Sequence, residues 1–160
     1  MISKSAYNAS VSNFEDTEAT PPQDFIFICP GYLECTLAAG DAADIPELQE
    51  WCAALPMKSY GRVFIEVDSL NEVVEITAPP GIAFTWLVRR PELEARGSAM
   101  MRAVEGWLDE WLRGDPMSGR YVQLWSGART NPEVVAHWLR IEAELAETWA
   151  AAAEYRDQLA

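Results

Sequence analysis

Residues 61–90, GRVFIEVDSLNEVVEITAPPGIAFTWLVRR, hold two apolar runs, Val63 to Val67 and Ala83 to Val88, set around Pro79-Pro80-Gly81 and closed by an arginine pair. A strand wetted on one face alternates apolar with polar residues, whereas an unbroken apolar run needs cover on both faces. A parallel sheet between two helical layers gives that cover. Tyr32 to Ala39 reads as a strand preceding these two. A Gly-Asp turn and a helix follow it, with Asp44 as N-cap, Pro46 in the first turn and an apolar face of Leu48, Trp51, Cys52 and Leu55. Asn71 to Thr77 reads as a short additional strand.

From Ser98, read as an N-cap, Met101, Val104, Leu108 and Trp111 recur at helical spacing until Gly114-Asp115-Pro116 ends the helix. Tyr121 to Trp125 is the fourth strand. Thr130 or Asn131 caps a further helix that Pro132 opens and that runs through Trp138, Leu145 and Trp149 towards Tyr155 without a Gly or Pro to stop it. Strands alternating with helices give an α/β fold with a parallel sheet. Residues 1–24 are polar, end in Pro21-Pro22 and lack periodicity, so they are expected to form a tail, leaving 25–160 as a single domain. Phe25-Ile26-Phe27-Ile28 is a short apolar run stopped by Pro30-Gly31, read either as an extra edge strand or as an arm that covers the domain.

At 160 residues and 49% hydrophobic content, one ordinary core is expected. Twelve Lys and Arg against 25 Asp and Glu give a formal net charge of −13, which repels nucleic acid and anionic membranes and disfavours phosphate ligands unless arginines cluster locally. Three cysteines, Cys29, Cys35 and Cys52, lack the C-x-x-C spacing of a thiolate metal site and read as buried or reduced thiols. No apolar run resembles a signal peptide or a membrane span, so a cytoplasmic location is expected.

The segments GRVFIEV at 61–67 and APPGIAFTWL at 78–87 carry a family likeness. They resemble the C-terminal domain of siderophore-interacting proteins, the flavin-dependent ferric-siderophore reductases. Gly40-Asp41 with Ile45-Pro46, and Tyr121-Val122 with Ser126-Gly127-Ala128, fall where that family has its first and fourth strand ends, so the likeness covers roughly residues 31 to 145. It implies a three-layer, ferredoxin-reductase-like sheet of four to five parallel strands with helices on both faces. Relatives end on a further strand; residues 146–160 are instead strong helix formers, so an extra C-terminal helix is expected in its place. The family's reductases also carry a flavin-binding barrel ahead of this domain. Nothing of that size precedes residue 31, and no flavin is expected on this chain.

The resemblance further implies a cofactor site, for NADPH or NADH, at three strand ends. Gly40, Asp41 and Ala43 stand where a turn into a helix would hold a pyrophosphate, although the family's Thr is Ala43 here and Asp44 brings a carboxylate that would claim the free N–H groups itself. Arg89 and Arg90 stand where relatives grip the adenosine ribose or its 2′-phosphate; the alternative is solvation or pairing with Glu92 and Glu94. Ser126 and Gly127 stand near the reacting end of the nicotinamide, with the family's Glu replaced by Ala128; the alternative for Gly127 is a glycine required by the turn.

No residue reads as catalytic and none as a metal ligand. The single histidine, His137, lies in a helical pattern without a Cys or His companion at ligand spacing, and reads as a surface or core-edge residue. Two functions follow. One is a degenerate binding or assembly module linked to iron-siderophore metabolism, its contact element the C-terminal helix with Trp149 and Tyr155, in a homodimer or on a partner protein. The other is a separately encoded NAD(P)H-binding half that docks on a flavin-bearing partner in ferric-siderophore reduction, an oxidoreductase only with that partner.

Overall fold

The computed structural model describes residues 33–160; the expected tail, the Phe25–Ile28 run and Cys29 lie outside the described residues. Four strands, β1 (Leu33–Asp41), β2 (Tyr60–Val67), β3 (Gly81–Val88) and β4 (Arg120–Ser126), form one parallel sheet in the order β3-β2-β1-β4. Helix α1 (Ile45–Ala54) joins β1 to β2, α2 (Ser98–Leu108) lies between β3 and β4, and α3 (Pro132–Leu159) follows β4. The alternation of side chains across each strand divides the core in two. Ala38, Val63, Ile65, Val67 and Ile82 pack with Leu48 and Cys52 of α1, while Leu37, Ala39, Phe64 and Val122 pack with α2 and α3 on the other face. The sheet is therefore the middle of three layers, as its apolar strands require.

The chain lays down β1, β2 and β3 outward in one direction and then returns past β1 to place β4 on its other side. That reversal leaves a crevice between the carboxyl ends of β1 and β4, the topological switch point at which open α/β sheets take their ligands.

Local differences from the sequence reading each have a physical cause. Asn71–Thr77 is not a strand: Ser69 and Glu72 cap one another across a 3-10 turn at Leu70–Glu72, and the exposed chain beyond it pairs with nothing among the described residues. Gly40 and Asp41 continue β1 rather than turning out of it. Below Leu108, α2 widens into a π-turn, Asp109–Arg113, which keeps Leu112 in the core.

Ser98 is not the N-cap of α2. Gly97 holds that position, with φ at +88°, and the capping acceptor comes from 31 residues upstream: the buried Glu66 carboxylate on β2 accepts from the N–H groups of Gly97 at 2.7 Å and Met100 at 3.1 Å. A carboxylate at a helix start satisfies donors that have no partner in the helix and sits favourably in its dipole. Asn131 caps α3, accepting from the Glu133 N–H at 3.0 Å.

His137 is buried between α2 and α3, its Nε2 at 2.9 Å from Glu105 Oε1. Burial pushes its imidazole below the ordinary value, opposed by Glu105. Burial also pushes Glu105 up, but the hydrogen bonds from Arg113, Arg140 and His137 outweigh it and hold the carboxyl low. Arg113 spans the helices, reaching Glu105 at 2.6 Å and Glu144 at 2.6 Å. Cys35 and Cys52 are buried free thiols, pushed by burial to about 12 and about 11.

Two outcomes follow from these contacts. Glu66→Ala leaves two buried donors unmet and lowers unfolding free energy by about 3 kcal/mol in urea titration, while Glu66→Gln, which keeps an acceptor, loses less. Because the folded imidazole of His137 sits below 6.5, the unfolded chain takes its proton first as pH falls, so the stability that neutral His137 provides is lost below about pH 6.5. His137→Asn removes that part of the pH dependence, read as the midpoint of thermal unfolding against pH.

Candidate functional site

The switch-point crevice is built from the turn after β1 and the turn after β4. Asp41 ends β1 and caps the 3-10 turn Ala42–Asp44, its carboxylate accepting from the Ala43 N–H at 2.9 Å. Asp44 closes the box: its Oδ2 accepts from the Asp41 N–H at 2.9 Å and, across the crevice, from the Ala128 N–H at 2.7 Å. Asp44 occupies the N-cap position of α1 but gives that helix no side-chain cap. The sequence reading that it caps α1 is corrected. It does claim backbone donors at the strand ends, though those of Asp41 and Ala128 rather than those of the helix.

The turn after β4 is held from beneath. The Gly127 N–H donates to the Ala39 carbonyl at 2.7 Å, and the Gly127 carbonyl accepts from Nε1 of the fully buried Trp138 at 2.8 Å. Ala128 then adopts a left-handed conformation, φ 54°, which aims its N–H at Asp44. A non-glycine residue rarely takes this conformation, and here two hydrogen bonds on either side hold it.

Both glycines of the site answer to Asp44. A Cβ on Gly40 would lie 2.6 Å from Asp44 Oδ2, and one on Gly127 would lie 2.4 Å from the same atom. Neither has positive φ, so space and not backbone freedom is what they supply.

Beside this knot a small crevice is lined by Asp41, Ala42, Ala43, Glu66, Asp68, Glu72 and Arg96. Four carboxylates face one guanidinium there. Burial raises the pKa of Asp41, and the neighbouring Asp44 charge raises it further. An added dinucleotide phosphate would meet this acidic wall.

The structure brings Gly40, Asp41, Ala43, Ser126 and Gly127 together at the switch point and sets the two predicted arginines apart from it. Ser126 is tied to Arg129, which bonds both its hydroxyl and, at 3.2 Å, its carbonyl. Arg89 follows β3, two strands away from β1. It is buried, its fork spent on Asp68 at 2.8 Å and 2.9 Å and on the Glu94 carbonyl at 3.0 Å, with Glu66 at 3.9 Å. The expected alternative, pairing with the Glu92 and Glu94 side chains, gives way for Arg89 to Asp68, just beyond the end of β2, and Glu66 within it. Arg90 is exposed beside Glu94 and Arg102 in a shallow groove over β3 and α2, its backbone N–H donating to Glu94 Oε2 at 3.1 Å.

Glu66, Asp68 and Arg96 were missed by sequence reasoning. The signal for Glu66 was present: a charged residue inside the apolar run Val63 to Val67 has to be met by buried donors.

Comparison with known proteins fits this architecture. The model of the siderophore-interacting protein family matches residues 34–155. The chain belongs to that family. It is similar to ferric vibriobactin reductase ViuB of Vibrio cholerae, 33% identical over 55 residues, which are 34% of this chain and 20% of that protein. An uncharacterized protein of Mycobacterium bovis is 38% identical over 53 residues, 33% of this chain and 19% of that protein. The chain thus covers about a fifth of the curated relatives it matches. Among solved structures, a siderophore utilization protein from T. fusca superposes with a TM-score of 0.50 at 24% identity, covering 69% of this chain and 38% of that one, a likeness of fold.

The geometry makes a sharp expectation about the glycines. Gly40→Ala costs about 2 kcal/mol through overpacking against Asp44, and in an Asp44→Ala background most of that cost disappears. A double-mutant cycle by chemical denaturation then returns a coupling of about 1 kcal/mol or more.

Proposed function

We propose that this chain is a siderophore-interacting-protein domain whose nucleotide crevice is filled by its own Asp44, and that it serves as a binding or assembly module in iron-siderophore metabolism rather than as a hydride donor. One observation carries the reading: the N–H groups of Asp41 and Ala128, which a phosphate oxygen would need, already donate to the Asp44 carboxylate. Arg89 supports it, since its fork is committed to Asp68 and to a backbone carbonyl. The contact element is the end of α3, where Tyr155 and Leu159 are exposed, and the partner is a flavin-bearing protein or a second copy.

A second reading has its own support. The curated relative from Vibrio cholerae is a ferric vibriobactin reductase, and Gly40 and Gly127 keep the crevice narrow and backbone-lined. On that reading the chain binds NADPH or NADH and passes hydride to a flavin held by another protein. Arg90, exposed near the β3 end, would then meet the 2′-phosphate.

Calorimetric titration with NADPH and NADH separates the two. The expected result is no heat at millimolar nucleotide. Saturable binding of either nucleotide, weakened about tenfold by Arg90→Ala, overturns the module and leaves the nucleotide half standing. Tyr155→Ser with Leu159→Ser is expected to abolish any self-association or partner association seen by light scattering, without changing the unfolding midpoint.

A further inference from the structure

Helix α1 runs back over one face of the sheet and stops at Ala54, short of the amino ends of the strands. Where α1 covers that face, the register row Trp125–Ala38–Val63 is apolar and packs with Leu48 and Cys52. Side chains two residues back along each strand share the face, so the next row toward the amino end is Gln123–Thr36–Gly61. Two polar side chains stand on neighbouring strands there, about 5 Å apart at the backbone, beside a glycine that fills nothing. The result is a cavity of about 180 Å3, bordered by the turn from α1 to β2 and lined by Glu34, Thr36, Gln123, Pro56, Lys58 and Ser59 among others.

The wall of this cavity is set by close packing. A Cβ on Gly61 would lie 1.8 Å from the Thr36 carbonyl oxygen, and one on Gly81 would lie 2.6 Å from the Ser59 carbonyl oxygen, so β1 and β3 both crowd the end of the turn. Within the turn the Ser59 N–H donates to the Pro56 carbonyl at 2.9 Å. The polar side chains are nevertheless uncommitted. Thr36 is only 3% exposed, yet among the described residues its hydroxyl has no hydrogen-bond partner, and neither have the side chains of Glu34, Lys58, Ser59 and Gln123. Glu34 and Lys58 are exposed, carry opposite charge on one rim and form no ion pair with each other. A hollow in which several polar groups converge without partners is the form a small-ligand site takes.

We propose that this cavity binds a small zwitterion, a free α-amino acid of the size of alanine or serine, with its carboxylate toward Lys58, its ammonium toward Glu34, and hydrogen bonds from Thr36, Ser59 and Gln123. Charge selects the class. A net charge of −13 opposes an anion at long range, and Lys58 opposes a lone cation at the site itself. A ligand without net charge avoids the first and meets both rim groups. Size sets the limit: at about 30 Å3 per water the cavity holds about six such volumes, which suits a ligand of about six or seven non-hydrogen atoms. Two hydroxyls and an amide can each donate or accept, so they serve either end of such a ligand. Because the wall is already in place, binding does not have to order it. The site lies at the opposite end of the sheet from Asp44, so the inference is independent of whether that crevice takes a nucleotide.

Titration of the isotope-labelled full chain with L-alanine, followed through backbone amide resonances, tests it. Saturable shifts centred on Thr36, Ser59 and Gln123 are expected, with a dissociation constant of about a millimolar or tighter. Propionate, which lacks the ammonium, and ethylamine, which lacks the carboxylate, are each expected to bind at least about fivefold more weakly, the upper end for an exposed ion pair. Lys58→Met and Glu34→Gln alter exposed side chains and leave the fold intact, and each should weaken alanine by about the same factor. Absence of saturable shifts up to about 50 mM alanine overturns the proposal. So does an equal response to propionate or to ethylamine, or alanine binding that is unchanged in either variant.

Discussion

Free backbone N–H groups gather at the carboxyl edge of a parallel sheet, where strands stop and helices begin, and each must find an acceptor. In this protein two carboxylates meet that demand from within. Glu66 reaches from β2 to the start of α2, and Asp44 reaches from the turn after β1 to the turn after β4. Each ties together elements distant in sequence, the second across 84 residues. Such bonds are stronger than neutral ones, and because the donors are partly or wholly buried, losing the acceptor costs more than making the bond gains. The register of α2 on the sheet and the shape of the β4 turn both follow from them.

The helices on the far layer depend on the same edge. Trp138 holds the Gly127 carbonyl from below, which places the first turns of α3, and α3 then meets α2 through Glu105, Arg113, Glu144 and His137. Arg113 donates to three carboxylates. A partly buried cluster of this kind contributes modestly to stability but fixes how two apolar helix faces slide against each other.

How much of this was legible in the sequence depended on whether the deciding contact was local. The apolar runs at Val63–Val67 and Ala83–Val88 specify covered strands by composition alone, and the long uninterrupted pattern after Pro132 specifies α3. The parallel order followed from alternation. Capping did not, because Ser98 is a good local cap that lost to Glu66, a stronger acceptor whose proximity only the folded sheet provides. Asn71–Thr77 failed for the converse reason: its strand-like residues had no neighbouring edge to pair with once the Ser69–Glu72 box had turned the chain. At the candidate site, Gly40 and Gly127 were legible as partners through the strand-end rule. The fate of Arg89 was not, since a guanidinium at a strand exit can face a ligand or fold back on its own sheet, and Asp68 settles that choice from 21 residues away.

Retained glycines are therefore weak witnesses to a retained ligand. A phosphate cradle needs glycines so that an anion can approach the backbone, and a carboxylate that enters the cradle from the chain itself imposes the same need. Gly40 and Gly127 would each bring a Cβ within 2.6 Å of Asp44 Oδ2, so both positions stay constrained whether or not a nucleotide ever arrives. What changes is the stage at which the interaction counts. An external anion stabilises the fold only in proportion to its concentration, whereas a tethered one stabilises it always. Were the second to replace the first, binding energy would become folding energy, and a domain so changed could keep its architecture without the ligand.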